Sequence, residues 1–400
     1  MTYAEAVNWL YAAVPNFQRD GGGKNYKIGL EGPEALWNYL GRPSDAIPTI
    51  HIAGTNGKGS SAHLISAGLQ SMGCKVGVFS SPHLFNFRER AKIGTEMVPE
   101  SFVAQWVFQH KSEVEQKGNS FFELTLMLAM SWFEEQKVDW IVLETGMGGR
   151  LDATTICTPE ICLITNIGLD HEEWLGSTRA AIAREKAGII KFGIPVVLVE
   201  QDHETAPVFI DVANTIGAPL FWAEPFYGST DLAGGYQSLN IKGAAAVLNL
   251  LHPEYGAVWS DGFERVGELT GFFGRWSIIG HSPRVVCDTG HNPHAFVHLI
   301  EQAERECRGR IHWILGAAAD KDSSAILSLL PKTSSYYFTS CSSPRGKKGE
   351  ELAQEANILG LNSSHFTDVN SALKAARKEA ANEDLIFIGG STFVIADLEL

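Results

Sequence analysis

Short and almost wholly apolar runs punctuate the first half of the chain: TIHIA at 49–53, KVGVF at 75–79, WIVLE at 140–144, ICLITNI at 161–167 and IPVVLV at 194–199. Runs of this length without polar alternation predict strands buried on both faces, as in the middle of a parallel sheet. Between them the spacing changes to that of a helix. Ile65, Leu69 and Met72 recur at i, i+4 and i+7, and Val103, Val107, His110 and Val114 mark a second amphipathic stretch. A second series opens near Arg284 with RVVCD, a helix from Pro293 to about Cys307, then RIHWILG, SYYFTS, a short SSHF run and DLIFIG, with helical patterns between them. The segment from Gly228 to Gly280 is rich in glycine and aromatics and follows neither period. The expected fold class is therefore α/β: a doubly wound, mostly parallel sheet domain of the P-loop type over 1–280, then a smaller Rossmann-like α/β domain over 281–400.

A length of 400 residues suits two domains. The chain carries 32 Lys and Arg against 46 Asp and Glu, a net charge of −14, which repels phosphate backbones and anionic lipid, so neither nucleic acid nor a membrane is an expected partner. The longest apolar stretch, Phe121 to Phe133, is broken by Glu123 and Thr125 and is too short to span a bilayer. The N-terminus has no positive leader region, and Glu5 stands where a signal peptide would be apolar, which predicts a cytoplasmic protein. The six cysteines include no C-x-x-C pair and read as reduced, mostly buried thiols rather than a disulfide framework or zinc site. Glycine, at 40 residues, exceeds the usual share of about 7% and implies tight turns or close backbone approaches to a ligand.

In open α/β sheets ligands sit at the carboxyl ends of strands, so the residues after each run carry the chemistry. TIHIA runs into Gly54-Thr55-Asn56-Gly57-Lys58-Gly59-Ser60 and then a helix. Small residues let successive N–H groups close on phosphate oxygens, the helix N-terminus adds positive potential, and Lys58 supplies a mobile charge. The spacing departs from the strict G-x-x-x-x-G-K-[ST] pattern. A tight glycine turn is the plain alternative. WIVLE ends in Glu144, which suits a Mg²⁺ ion on a nucleotide; pairing with Arg150 is the alternative. ICLITNI leads to Asp170 and His171, and Lys186 sits among alanine and glycine, as a confined cation or a solvated one. In the second series RVVCD ends in Asp288, suited to ribose hydroxyls, with Arg275 upstream, suited to phosphate.

The motifs GTNGKGS, SSPHLFNFRER, LETGMGGRLDAT, ITNIGLDHEEWLGSTRAAIAREKAGIIK, FGRW, DTGHNPHA and AAADKD occur in this order. Together they resemble the folylpolyglutamate and dihydrofolate synthetases of the Mur-ligase superfamily, over about Tyr26 to Val394. The resemblance implies an ATP-dependent amide ligase: the γ-phosphate passes to a folate carboxylate, and the amine of L-glutamate displaces phosphate from the acyl phosphate. It implies ATP contacts from Gly54 through Ser60, and from Asn240, Arg275 and Asp288. Mg²⁺, in two ions, would be held by Ser81, Glu144, His171 and a carbamylated Lys186. Catalytic roles fall to Lys58, Lys186 and His291, and substrate contacts to His83, Ser120, Phe122 and Asp152. Lys27 and Gly32 stand where enzymes using dihydropteroate can carry Asp and Arg. Addition of glutamate to reduced folates therefore ranks first and dihydrofolate synthesis second, by a monomer. The competing readings are a Mur-type ligase for another carboxylate, and a P-loop ATPase or kinase, which would not need Lys186, Asp288 or His291.

Overall fold

The computed structural model describes residues 1–12, 29–319 and 323–399. Among these the chain divides into two compact units: residues 1–231 with 237–272, and residues 232–236 with 273–400. The division falls ahead of the expected boundary near 280, because strand Ser277–His281 pairs antiparallel with Arg284–Asp288 and so belongs to the second sheet.

In the first unit eight strands form one sheet: β1 (Thr49–Ala53), β2 (Val76–Phe79), β3 (Ala91–Ile93), β4 (Glu96–Met97), β5 (Trp140–Glu144), β6 (Ile161–Ile164), β7 (Val196–Leu198) and β8 (Leu220–Trp222). Their order is β4-β3-β2-β5-β1-β6-β7-β8. All neighbours run parallel except the β2–β3 and β3–β4 pairs. The apolar runs supply the centre of the sheet, and the carboxyl ends of β2, β5, β1 and β6 therefore lie side by side. Helix Phe121–Glu135 buries Leu124, Met127, Leu128 and Phe133 in a core shared with helices Tyr3–Ala12 and Glu100–Lys117. The most apolar stretch of the sequence is thus interior packing, and no helix among the described residues is long and apolar enough to cross a membrane.

Helix Lys58–Ser71 follows β1 and is buried along most of its length, covered by helices Gln237–Leu251 and Gly256–Phe263. These two helices arise from the segment whose sequence follows no single period. They approach closely because a Cβ on Gly68 would meet Leu248 Cδ1 at 2.5 Å, and one on Gly262 would collide with the backbone of Ala67.

The second unit holds six strands: β9 (Ser277–His281), β10 (Arg284–Asp288), β11 (Ile311–Leu315), β12 (Ser335–Thr339), β13 (Ser363–Phe366) and β14 (Leu385–Gly389). Their order is β13-β12-β11-β14-β10-β9, parallel except for β9. Trp276, Trp313 and Phe387 fill its core. All six cysteines are free, with Cys157, Cys162 and Cys287 buried.

Adding one methyl at the Gly262 crossing tests this packing. Gly262→Ala is expected to lower unfolding free energy by about 1–3 kcal/mol, the usual cost of overfilling a core, read as an earlier urea midpoint; an unchanged midpoint would contradict the close crossing.

Candidate active site

The turn after β1 needs glycine at two places. Gly54 has φ 154° and Gly57 φ 82°, and a Cβ there would strike Thr165 Oγ1 or Asn240 Oδ1 respectively. The loop is laced to the end of β6. Thr55 N donates to Asn166 O at 2.9 Å and Asn56 N to Asn166 Oδ1 at 2.9 Å. Asn56 O accepts from Thr165 Oγ1 at 2.6 Å and from Asn166 Nδ2 at 3.1 Å. Two loop amides are therefore spent on shape. The amides of Lys58, Gly59 and Ser60 open the helix, whose first backbone bond is Ser61 N to Gly57 O at 2.9 Å. Leading amides without an intrahelical partner suit an anion. Ser60 Oγ is buried without a hydrogen-bond partner among the described residues, as a hydroxyl meant for a phosphate or its cation would be.

Two lysines converge on one carbonyl. Lys58 Nζ donates to Gly54 O at 3.1 Å and to Thr55 O at 3.3 Å, and Lys186 Nζ donates to Gly54 O at 2.8 Å. Lys186 is 4% exposed. Burial, then the charge of Lys58, pushes its pKa down to about 7, against the pull of Asp170 and Asp152. It ends helix Arg179–Lys186, which Thr178 caps by accepting from Ala181 N at 3.2 Å. The GMGGR turn lies directly on that helix end, for a Cβ on Gly149 would stand 2.8 Å from Lys186 O. Arg150 N donates to Glu185 O at 2.7 Å, and its guanidinium holds the Glu185 carboxylate at 2.9 Å. Arg150 thus pairs with Glu185, against the alternative that it pairs with Glu144.

Glu144 ends β5, buried, and its Oε2 accepts from Ser81 N at 3.2 Å. His171 adopts a left-handed φ of 53°, unusual for a non-glycine residue, with Nε2 4.0 Å from Asp170 Oδ1. Among the described residues no three His, Cys, Asp or Glu side chains cluster closely enough to hold a metal ion. A cation at Glu144 would need hydroxyl ligands such as Ser60 and Ser81 as well.

His83 lies between two partners. Arg90 Nε donates to its Nδ1 at 2.8 Å, so the ring proton is on Nε2, 3.0 Å from the Tyr11 hydroxyl. Burial, then Arg90, pushes the His83 pKa down to about 3, which keeps the ring neutral. Tyr11 stacks on Phe121 at 5.0 Å, and the Arg90 guanidinium lies 5.0 Å from the same ring centre. Ser120 Oγ caps the following helix, accepting from Glu123 N at 3.3 Å and donating to Glu123 Oε1 at 2.9 Å. Gly32 packs there too, since a Cβ would stand 3.2 Å from Glu123 Oε2. Phe122 covers Gly146, and Asp152 Oδ2 accepts from Gly146 N at 2.8 Å and Met147 N at 2.9 Å. Phe122 and Asp152 thus meet on the turn that follows Glu144.

In the first unit Asn240 reaches Gly57, its amide N donating to Gln237 Oε1 at 2.8 Å. In the second unit Asp288 ends β10 and accepts from Gly290 N and Trp276 N, both at 2.8 Å, and from the Tyr236 hydroxyl at 2.5 Å. Burial raises its pKa while Arg275 lowers it. Arg275 donates to Gly274 O at 3.0 Å and to Thr289 Oγ1, and His291 Nδ1 lies 3.0 Å from Thr289 O.

Residues 52–222 match the family model for the Mur ligase middle domain, and residues 274–392 the model for the Mur ligase glutamate ligase domain. A dihydrofolate synthase/folylpolyglutamate synthase of Escherichia coli K12 is 32% identical over 390 residues, which is 93% of this chain and 91% of that protein. The chain belongs to the dihydrofolate synthase/folylpolyglutamate synthase family. A relative of the same name in Bacillus subtilis is 30% identical over 99% of this chain and 98% of its own length. The solved structure of Escherichia coli FolC in complex with DHPP and ADP superposes with a TM-score of 0.88, at 29% identity, over 99% of this chain and 96% of that one. A bifunctional family enzyme with Mn, AMPPNP and L-glutamate bound gives 0.86, at 28% identity, over 99% and 97%.

Sequence reasoning passed over Arg90, Asn166 and Tyr236. The two polar residues straight after the buried ICLI run were the available signal for Asn166; Arg90 lies in a charged RER run that reads as surface. Lys27 and the DKD of AAADKD lie outside the described residues.

The depressed Lys186 pKa has a stability signature. The folded amine holds its proton only below about 7 and the unfolded one up to its ordinary 10.5. Between these values the unfolded chain binds the extra proton, so the folded state gains stability as pH rises. In carbon-dioxide-free buffer, the unfolding free energy of the native protein minus that of Lys186→Met should climb by on the order of 1 kcal/mol per pH unit from about pH 7 to 9; a pH-independent difference would contradict it.

Proposed function

We propose that the chain is an ATP-dependent ligase that joins L-glutamate to a folate carboxylate through an acyl phosphate, with reduced folate as first acceptor and dihydropteroate as second. The observation that supports the reading is a glycine turn into a helix start whose leading amides have no intrahelical partner, with Lys58 and the buried Lys186 on one carbonyl of that turn. The leading amides of Lys58, Gly59 and Ser60 would hold the nucleotide phosphates, and Lys58, swinging from the Gly54 and Thr55 carbonyls, would follow the transferred phosphoryl group. That group moves from ATP to the acceptor carboxylate and leaves ADP; the glutamate amine then attacks the acyl phosphate, loses a proton and forms the amide as phosphate departs. Asn240, Arg275 and Asp288 are the proposed further nucleotide contacts, and His291 helps place ATP and glutamate.

Ser81, Glu144 and His171, with Lys186 as a carbamate, are the proposed ligands for Mg²⁺. The Ser60 hydroxyl, without a partner among the described residues, and the buried Glu144 carboxylate are the hard oxygen donors that such an ion takes. Bound there, Mg²⁺ would neutralise charge on the phosphates. A lysine amine that is neutral near pH 7 adds carbon dioxide to give a carbamate and one proton, which exchanges a confined cation for a carboxylate-like ligand. Phe122, Asp152, His83 and Ser120 are proposed for the acceptor side.

The test is phosphate release from ATP with tetrahydrofolate or dihydropteroate, with and without L-glutamate, following products by mass. The expected result is release that requires both acceptor and glutamate, with a product one glutamyl residue heavier. Release independent of both would mark an ATPase instead. Lys186→Ala should lose most of this activity and regain part of it with added short carboxylates; full activity without them would contradict the carbamate role.

A further inference from the structure

His51 sits in the middle of β1, between neighbours Leu143 on β5 and Cys162 on β6, and is fully buried. A central strand position of this kind ordinarily carries Val or Ile, as the flanking Ile50 and Ile52 do. An imidazole there costs stability unless its nitrogens are bonded. Only one is bonded among the described residues: Nε2 lies 2.8 Å from Thr154 Oγ1, while Nδ1 is buried without a hydrogen-bond partner there.

Thr154 Oγ1 lies 2.5 Å from Asp152 Oδ1, which also accepts from Thr154 N at 3.0 Å. Burial raises the Asp152 pKa, but three backbone amides donate to its two oxygens and favour the ionised form, which only accepts; the threonine proton therefore points at Asp152, and the threonine oxygen is left to accept from His51. The histidine proton is therefore on Nε2 and the partnerless Nδ1 is a bare lone pair, a smaller burden than a bare N–H. Burial and Lys191 push the His51 pKa down to about 3, in keeping with a neutral ring. The donors line up as imidazole, hydroxyl and carboxylate, and such chains polarise one another toward the charged end. The other carboxylate oxygen holds the amides of Gly146 and Met147. Both oxygens of Asp152 are thus held in place by the chain itself, which orients the carboxylate on the acceptor side.

We propose that His51 is a positioning residue: through Thr154 it orients the Asp152 carboxylate, and through Asp152 it sets the Gly146–Met147 turn that follows Glu144 and supports the acceptor side of the site. The role rests on the ligase reading above. It reaches across the sheet from the strand that carries the phosphate loop, yet acts on the acceptor rather than on ATP.

The experiment compares His51→Leu, Thr154→Val, the double variant and His51→Gln with the native protein, after thermal unfolding shows each to be folded. Thr154→Val keeps shape and breaks the same link should His51→Leu fail to fold. Each break is expected to raise KM for the folate acceptor by about fivefold to tenfold, the effect of one lost hydrogen bond, and to leave KM for ATP within about twofold. The double variant should be no worse than the single ones, since both remove one chain. His51→Gln, whose amide N–H can stand in for Nε2–H, should recover most of the loss. An unchanged acceptor KM, a parallel rise in both KM values, or simple addition in the double variant would overturn the proposal. Nitrogen-15 NMR of the imidazole in the resting protein supplies a separate reading: Nε2 protonated and Nδ1 bare at neutral pH. A protonated Nδ1 would overturn the relay alone, whereas a native protein without glutamate-dependent turnover would overturn the ligase reading and the positioning role with it.

Discussion

The carbonyl oxygen of Gly54 receives two lysine amines, Lys58 and Lys186, inside a site closed to water on the Lys186 side. Burial, and after it the charge of Lys58 nearby, holds the Lys186 pKa down to about 7. The surroundings are built to keep it there. The GMGGR turn seals the helix end that carries Lys186, Arg150 fastens that turn to Glu185, and Thr165 and Asn166 hold the loop whose carbonyl both lysines share.

The first sheet then decides what else can reach this point. Because β2, β5, β1 and β6 are parallel neighbours, their carboxyl ends deliver Ser81, Glu144, the turn at 54–60 and Asn166 to one edge. Nothing in that arrangement depends on long-range charge, since each group arrives on the last residue of a buried strand or just past it. The second sheet repeats the device in its own frame. Asp288 ends β10, where Trp276 N, Gly290 N and Tyr236 converge on its carboxylate. Buried carboxylates held by several donors are oriented groups, and in both units orientation is what the hydrogen bonds supply.

The central strands were legible because burial on both faces leaves an apolar run, and TIHIA, WIVLE and ICLI appear where the runs stand. The glycine-rich turn into helix Lys58–Ser71 was legible because glycine, lysine and serine follow such a run directly. The β3–β4 hairpin was not, since strands of three and two residues carry Lys92 and Glu96 and leave no pattern. The helices between Gln237 and Thr270 were obscured by glycines that serve close packing, as Gly262 does on Ala67, rather than turns. Arg90 was hidden for a related reason. Its charge reads as surface, yet it is 2% exposed and spends its guanidinium on His83 and the face of Phe121. The unusual state of Lys186 was not legible from its neighbours: alanine and glycine beside it suit a confined or a solvated cation alike, and the second lysine on the same carbonyl is a fact of the fold.

The most direct test of this account looks at Lys186 itself. The protein, equilibrated with carbon-13 bicarbonate near neutral pH in the presence of Mg²⁺, is examined by carbon-13 NMR for a lysine carbamate, alongside Lys186→Met. The account predicts one carbamate carbon signal in the native protein and none in the variant. A native protein without that signal, or a signal that survives in Lys186→Met, would contradict it.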